Sequence, residues 1–286
     1  MLNIVVIGIG LMGGSLIKAL KASNQKYNIW AIDTNKENIE LALKDNYIVK
    51  GNYNYDDIEK AFKWANIIMI CTLPSIALNI INTYKNLIDD DTILSDFCGV
   101  KKDIFKNTMD KKYIGLHTMS GKESGGYTNS TKSLFENSNS IIINNENANR
   151  EDIKIIEKLA KDIGCSNVII STSEKHDEMI AFTSQLMHII ACSIVNHDNF
   201  LSSLGYEGNS LNDHTRVGII DENMWSELFF SNREYLLESL EKYIKCLFDF
   251  KNALNNENKD KLKSLMLNSN NIKNEWIRVK NNKKLK

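Results

Sequence analysis

The stretch Asn3-Ile-Val-Val-Ile-Gly8-Ile-Gly10-Leu11-Met12-Gly13-Gly14 decides how the rest of this 286-residue chain is read. An apolar run of strand length gives way to four glycines in seven residues, although glycine weakens strands and helices alike. The spacing Gly8-x-Gly10-x-x-Gly13 lies between an expected strand, Asn3–Gly8, and an expected helix, Leu11–Ser23. In that context Gly8 makes a tight turn, Gly10 lets the backbone approach a pyrophosphate, and Gly13 lets helix and strand pack closely. The phosphates then lie at the unpaired N–H groups of Leu11, Met12 and Gly13, with Ser15 as a further cap or phosphate contact. Asp33 ends the next expected strand, Asn28–Asp33, 20 residues after Gly13. Its carboxylate suits two ribose hydroxyls and repels a 2′-phosphate, so NAD is expected rather than NADP. Lys36 is the nearby cation that would soften this preference.

Outward from this unit, short apolar runs alternate with helical spacing. A helix is expected at Asn35–Asp45 and strands at Ile67–Cys71, Thr92–Ser95, Tyr113–Leu116, Ile141–Ile143 and Val168–Ile170, the last two around a helix near Glu151–Ile163. Continuous apolar strands separated by helices indicate a parallel sheet covered on both faces. After Ser171 the pattern becomes helical throughout, interrupted at Gly205–Gly208 and Asn268–Asn271. The expected fold is therefore α/β: a doubly wound, Rossmann-type parallel sheet over residues 1–171, followed by an all-α domain over 172–286. Thr72 and the single proline, Pro74, follow a strand's carboxyl end. Pro74 is expected to open the next helix, and both residues to line the cofactor crevice.

Composition narrows the class. Hydrophobic residues make up 43% and charged residues 25% of the chain, which are globular values. A net charge of -1 gives no electrostatic footprint for nucleic acid or an anionic membrane. No apolar run is read as approaching the ~20 residues of a membrane span, and the apolar start has no basic leader. The five cysteines are scattered, odd in number and free of CxxC pairs, which argues for a reducing, cytoplasmic setting without disulfides. Neither they nor the histidines show metal-site spacing, so no metal is expected.

Chemistry is expected in three places. His117 follows the strand Tyr113–Leu116 and opens the loop Gly115-Leu-His117-Thr-Met-Ser-Gly121-Lys-Glu123-Ser-Gly125. A histidine at a strand's carboxyl end, beside the nicotinamide crevice, suits a general base. The helical half supplies His176-Asp177 and, further along, His188 in an apolar context. It also holds Asp213-His-Thr-Arg216 and Met224-Trp225, in which the guanidinium fork suits a carboxylate.

At these residues the sequence resembles the prephenate dehydrogenase family, the NAD enzymes that oxidatively decarboxylate prephenate for tyrosine synthesis. The resemblance runs over nearly the whole chain and is most specific at the His117–Gly125 loop, at His176-Asp177 with His188, and at Asp213–Arg216 with Met224-Trp225. It implies that His117 is the base on the ring hydroxyl and that Arg216 holds a substrate carboxylate. His188 would line the pocket with Gly121, and Glu123 and Asp213 would form a polar network at its mouth. A small-molecule substrate follows from the same resemblance, and a homodimer through the helical half is expected from the fold class, since its apolar faces exceed what one sheet edge could cover. The family's serine, which bonds the catalytic histidine and the nicotinamide, is replaced by Gly99 at the cofactor site, so either Ser95, Cys98, Thr118 or a water is expected to substitute, or the histidine is less tightly held. Gln185 replaces a family histidine, Thr118 a proline, and Asn212 stands where some relatives have lysine. Arogenate dehydrogenase, a 3-hydroxyacid dehydrogenase using Lys175, and a non-enzymatic NAD-binding redox sensor are the alternatives.

Overall fold

A computed structural model describes residues 1–122 and 124–284. The first strands and helices alternate as β1 (Leu2–Ile7), α1 (Leu11–Ala22), β2 (Tyr27–Ile32), α2 (Lys36–Lys44), β3 (Lys50–Asn52), α3 (Ile58–Trp64), β4 (Ile67–Ile70), α4 (Pro74–Tyr84), β5 (Ile93–Asp96) and α5 (Lys102–Asn107). The strands form one parallel sheet in the order β3-β2-β1-β4-β5. Side chains alternate across a strand, so Ile4 and Val6 of β1 pack with Leu16, Ile17 and Leu20 of α1 on one face. Val5 and Ile7 pack with Phe62 of α3 and Ile80 of α4 on the other. Each such buried aliphatic side chain contributes about 1.5–3 kcal/mol, which is why strands buried on both faces read as unbroken apolar runs.

Three more strands, β6 (Ile114–Thr118), β7 (Asn139–Asn144) and β8 (Asn167–Ser171), form a second sheet in chain order, with α6 (Arg150–Asp162) between β7 and β8. A parallel bridge between Leu94 and Tyr113 brings β6 alongside β5. The expected all-parallel order fails here, since β7 runs antiparallel to β6 and β8 parallel to β7. Among its described residues the link from β6 to β7 holds only a three-residue 3-10 turn, Tyr127–Asn129, and no crossover helix, which permits the reversal. β3 and α3 are not among the expected elements; β3 is only three residues long and contains Gly51, so it carries no apolar signal.

Beyond Ser171 all elements are helical. α7 (Ser173–Ile180), a π-helical turn at Ala181–Gln185 and α8 (Leu186–Val195) form one continuous helix. They precede α9 (Asn209–Thr215), α10 (Glu222–Ser231), α11 (Arg233–Asn255) and α12 (Lys259–Lys284). The expected break at Asn268–Asn271 is absent and lies within α12. The chain turns instead at Asn256–Asn258, where Glu257 takes a φ of 50°. By packing, the chain divides into compact units Met1–Tyr235 and Leu236–Lys286.

One expectation is overturned. Among the described residues, the helix Ser173–Val195 is long and apolar enough to cross a membrane, with a mean hydropathy of 1.5. His176, Asp177 and Gln185 break its apolar spelling, which hid it in the sequence. All three are buried and hydrogen-bonded within the protein, while most of the helix's apolar stretch is not buried within this chain.

Candidate active site

The strand order reverses direction between β1 and β4, and open α/β sheets bind ligands at the carboxyl ends of strands at such a switch point. The glycine turn sits there. Gly8 has a φ of +84°, and a Cβ on it would lie 2.7 Å from Thr72 Cγ2. A Cβ on Gly13 would lie 1.9 Å from the Gly8 carbonyl oxygen, whereas one on Gly10 would meet nothing within 4 Å. Gly13 thus serves packing, and the open space at Gly10 is the cradle a pyrophosphate needs. Gly10 is the N-cap of α1 and offers no side-chain cap, so the first N–H groups, those of Leu11, Met12 and Gly13, are available to an anion. Gly14 answers a separate demand: a Cβ there would lie 2.7 Å from Ser130 Oγ. Ser15 is buried and accepts a hydrogen bond from the Thr131 N–H at 3.0 Å, so it fastens this same loop and is no cap.

Asp33 stands at the rim. Its Oδ2 accepts from the Ile9 N–H at 2.6 Å and its Oδ1 from the Asn35 N–H at 2.7 Å. Lys36 is paired with Glu40 on the surface at 3.5 Å. Pro74 is buried in the first turn of α4. The next residue, Ser75, gives its N–H and hydroxyl to the two carboxylate oxygens of Glu227 on α10, at 2.6 and 2.9 Å. These residues fit a dinucleotide with an unphosphorylated ribose.

His117 lies at the carboxyl end of β6, and its Nδ1 is 2.7 Å from Nε2 of His176. His176 Nδ1 is in turn 2.6 Å from Asp177 Oδ1. The carboxylate of Asp177 accepts the backbone N–H groups of Lys101 and Lys102, each at 2.9 Å, and so caps α5 from across the fold. Burial lowers the pKa of His117 well below its usual value, helped by the neighbouring His176 and Lys101. Burial also lowers that of His176, against the opposing pull of Asp177. Beneath the pair, buried Lys101 bonds Asp96 Oδ1 at 2.5 Å, and the Tyr113 hydroxyl donates to Asp96 Oδ2 at 2.6 Å. A desolvated ion pair of this kind holds only while all its members are hydrogen-bonded.

The substitutes expected for the missing serine do not hold His117. Thr118 Oγ1 accepts from Ser120, Cys98 Sγ faces the Thr72 carbonyl, and Ser95 Oγ has no hydrogen-bond partner among the described residues. A Cβ on Gly99 would lie 3.4 Å from Leu228 Cδ2, so α10 covers this position. Gln185 is buried, donates to the Leu228 carbonyl at 3.0 Å and accepts from Asn232 at 2.8 Å.

His188 forms a second cluster. Its Nδ1 lies 2.9 Å from the Val217 carbonyl and its ring 3.7 Å from that of Trp225. Burial lowers its pKa, and Arg216 adds to the effect. Asp213 and Arg216 lie on α9 and at its carboxyl end, exposed. Gly121 is in the exposed loop after β6, and Glu123 lies outside the described residues. His214, the other histidine of this segment, gives its Nδ1 to the Ser210 carbonyl at 2.6 Å. Lys175 pairs with Glu178 on the surface at 2.9 Å. Among the described residues no three His, Cys, Asp or Glu side chains form a metal-binding group. Sequence reasoning passed over the Lys101–Asp96–Tyr113 network and gave His176-Asp177 no role. A buried His-Asp pair at a helix start was the only signal on offer.

A dinucleotide turn at a switch point, with a histidine held beside the same sheet, defines a dehydrogenase of the two-part, nucleotide-binding class. The comparisons narrow the class. Residues 16–169 match the model of the prephenate dehydrogenase nucleotide-binding domain, and residues 172–268 that of the prephenate dehydrogenase dimerization domain. The chain belongs to the prephenate dehydrogenase family. It is 25% identical to the cyclohexadienyl dehydrogenase of Zymomonas mobilis, covering 91% of each chain. It is 23% identical to the prephenate dehydrogenase of Bacillus subtilis, over 91% of this chain and 72% of that one. Among solved structures it is similar to the prephenate dehydrogenase of A. aeolicus in complex with hydroxyphenyl propionate and NAD+, at 25% identity and a TM-score of 0.85, covering 97% of this chain and 98% of that one.

Proposed function

We propose that this dehydrogenase is an NAD-dependent prephenate dehydrogenase, which oxidatively decarboxylates prephenate to 4-hydroxyphenylpyruvate in tyrosine biosynthesis. The observation that carries this reading is His117, a half-buried imidazole at the carboxyl end of β6 with its Nδ1 engaged by His176. Gly8, Gly10, Gly13, Asp33, Thr72, Pro74 and Gly99 surround the cofactor, with the pyrophosphate on the N–H groups of Leu11 and Met12. NAD, when bound, accepts the hydride released from the ring carbon that bears the hydroxyl. His117 removes the hydroxyl proton, the ring carboxylate leaves as carbon dioxide, and the ring becomes aromatic. Arg216 holds a substrate carboxylate, His188 and Gly121 line the pocket, and Asp213 with Glu123 guards its mouth. The protein's share of catalysis is positioning and proton removal.

We take residues 1–171 as the nucleotide-binding part and 172–286 as the helical part. The helical part is assigned as the homodimer contact, which the exposed apolar residues Leu247 and Phe248 of α11 and Ile272 and Trp276 of α12 support. A cytoplasmic location agrees with five free cysteines. The deciding experiment follows NADH formation with prephenate, arogenate and a panel of 3-hydroxyacids. Turnover of prephenate is expected. Turnover of arogenate alone would move the assignment to that amino analogue, turnover of a 3-hydroxyacid to that class, and NAD binding without any turnover to a redox sensor.

A further inference from the structure

The functional reading makes His117 a base but does not say which ring nitrogen takes the proton. The hydrogen-bond chain behind it does. We propose that His176 and Asp177 are positioning residues that fix the tautomer of His117, leaving its Nε2 as the proton acceptor.

Each oxygen of Asp177 faces a backbone N–H, from Lys101 and from Lys102, so the group is an acceptor-only carboxylate. The proton shared between Asp177 Oδ1 and His176 therefore belongs to His176 Nδ1. A neutral imidazole with Nδ1–H carries a lone pair on Nε2, and that atom faces His117 Nδ1 at 2.7 Å. Two lone pairs cannot meet at this distance, so His117 Nδ1 carries a proton and donates it. The remaining nitrogen, Nε2, is bare and free for the substrate. Burial, which favours the uncharged form of both rings, agrees with this assignment.

This relay also accounts for Gly99. Position 99 has no hydroxyl to orient the ring, and among the described residues His176 is the hydrogen-bond partner of His117. Orientation comes from a helix of the other half of the molecule, α7, rather than from the loop after β5. Asp177 connects the two by holding the start of α5, so the ring and the loop beside it share one anchor.

The inference rests on His117 being the base, and its test separates the two claims. The apoprotein labelled with 15N-histidine is examined by long-range 15N–1H correlation at neutral pH, with His117→Asn identifying the His117 signals. The expected result is a proton on Nδ1 and none on Nε2 for both His117 and His176. A His117 protonated on Nε2 in the wild type would overturn the proposal even if prephenate is turned over. The expected tautomer without turnover of any substrate would uphold the positioning role and remove the enzymatic reading. Two variants add a kinetic readout. His176→Phe keeps the ring's bulk without an acceptor, and should mix the His117 tautomers and lower kcat roughly 10–100-fold with little change in KM for NAD. His176→Gln offers an amide oxygen and should restore the Nδ1–H signal and most of kcat. Equal losses in both variants with an unchanged tautomer would reduce His176 to packing. Where His176→Phe fails to fold, the wild-type spectrum decides.

Discussion

The Gly8 carbonyl oxygen lies 1.9 Å from where a Cβ on Gly13 would sit, while a Cβ on Gly10 would find empty space. The same substitution therefore has opposite consequences three residues apart. Gly13→Ala should force β1 and α1 apart and cost about 3 kcal/mol. Gly10→Ala should keep stability within about 1 kcal/mol of wild type yet abolish NAD binding. Denaturant melts and calorimetric titration of both variants check this; a stable, NAD-binding Gly13→Ala would mean that the turn is looser than described.

Asp33 is bonded to the glycine turn through the Ile9 N–H, and the proposed function sets it against the cofactor's ribose. Asp33→Asn should lower the NAD-over-NADP preference by relieving repulsion of the 2′-phosphate. Because Asp33 also accepts from Ile9 and Asn35, affinity for NAD should fall as well. The ratio of kcat/KM for the two cofactors measures the effect, and a wild type that prefers NADP would contradict the assignment.

Arg216→Ala should raise KM for the substrate roughly 10–100-fold, the equivalent of about 1.5–3 kcal/mol for a hydrogen bond to a charged group, and leave NAD affinity near normal. Arg216→Lys should recover only part, since an ammonium cannot reproduce the planar fork. Steady-state kinetics of the two variants test it. Unchanged KM in the alanine variant would take Arg216 out of the substrate site.

His117→Asn should retain NAD binding and lose roughly 10²–10⁴-fold in kcat. In the wild type, kcat/KM should fall on the acid side with an apparent pKa below the ordinary histidine value of about 6.5, because burial, His176 and Lys101 all disfavour the charged ring. Of the charged and titratable groups packed around the ring, His176 and Lys101 act on it directly; Asp96 and Tyr113 bond one another beside Lys101, and Asp177 bonds His176. A limb that survives in the variant would place the base elsewhere, with His188 or His214 next.

Stability should follow the same titration. The folded pKa of both His117 and His176 is depressed, so the unfolded chain binds their protons more readily. Their contribution is complete above about pH 6.5 and is lost as pH falls through the folded values. Urea midpoints measured between neutral and acid pH should drop more steeply for the wild type than for His176→Phe. Parallel slopes would show that these rings do not report folding.

The parallel core of the fold was legible because strands buried on two faces spell continuous apolar runs, and the glycine turn because three steric demands fall at a fixed spacing. β3 was illegible because its three residues, Lys50-Gly51-Asn52, are held by pairing with β2 and by no pattern of their own. The direction of β7 depends on a loop return that no periodicity records. In the site, His117 was visible from its place after a strand. What holds it was not, because residues 117 and 176 are 59 positions apart and meet only when α7 packs beside β6.

The π turn at Ala181–Gln185 sets the bearing of the helix that carries both His176 and His188. Twelve residues separate these two, and an unbroken α-helix, turning about 100° per residue, would set them about 120° apart around its axis. A π turn absorbs one extra residue, which brings the two rings back to within about 20° of a common line. The wide turn is thus a phase correction: one rod delivers an imidazole to His117 and, three turns later, another to Trp225 from nearly the same side. Winding the turn into regular α-helix with all its residues kept would swing His188 about 100° from its present bearing, whereas removing Thr183 would erase the wide turn and leave that bearing nearly unchanged.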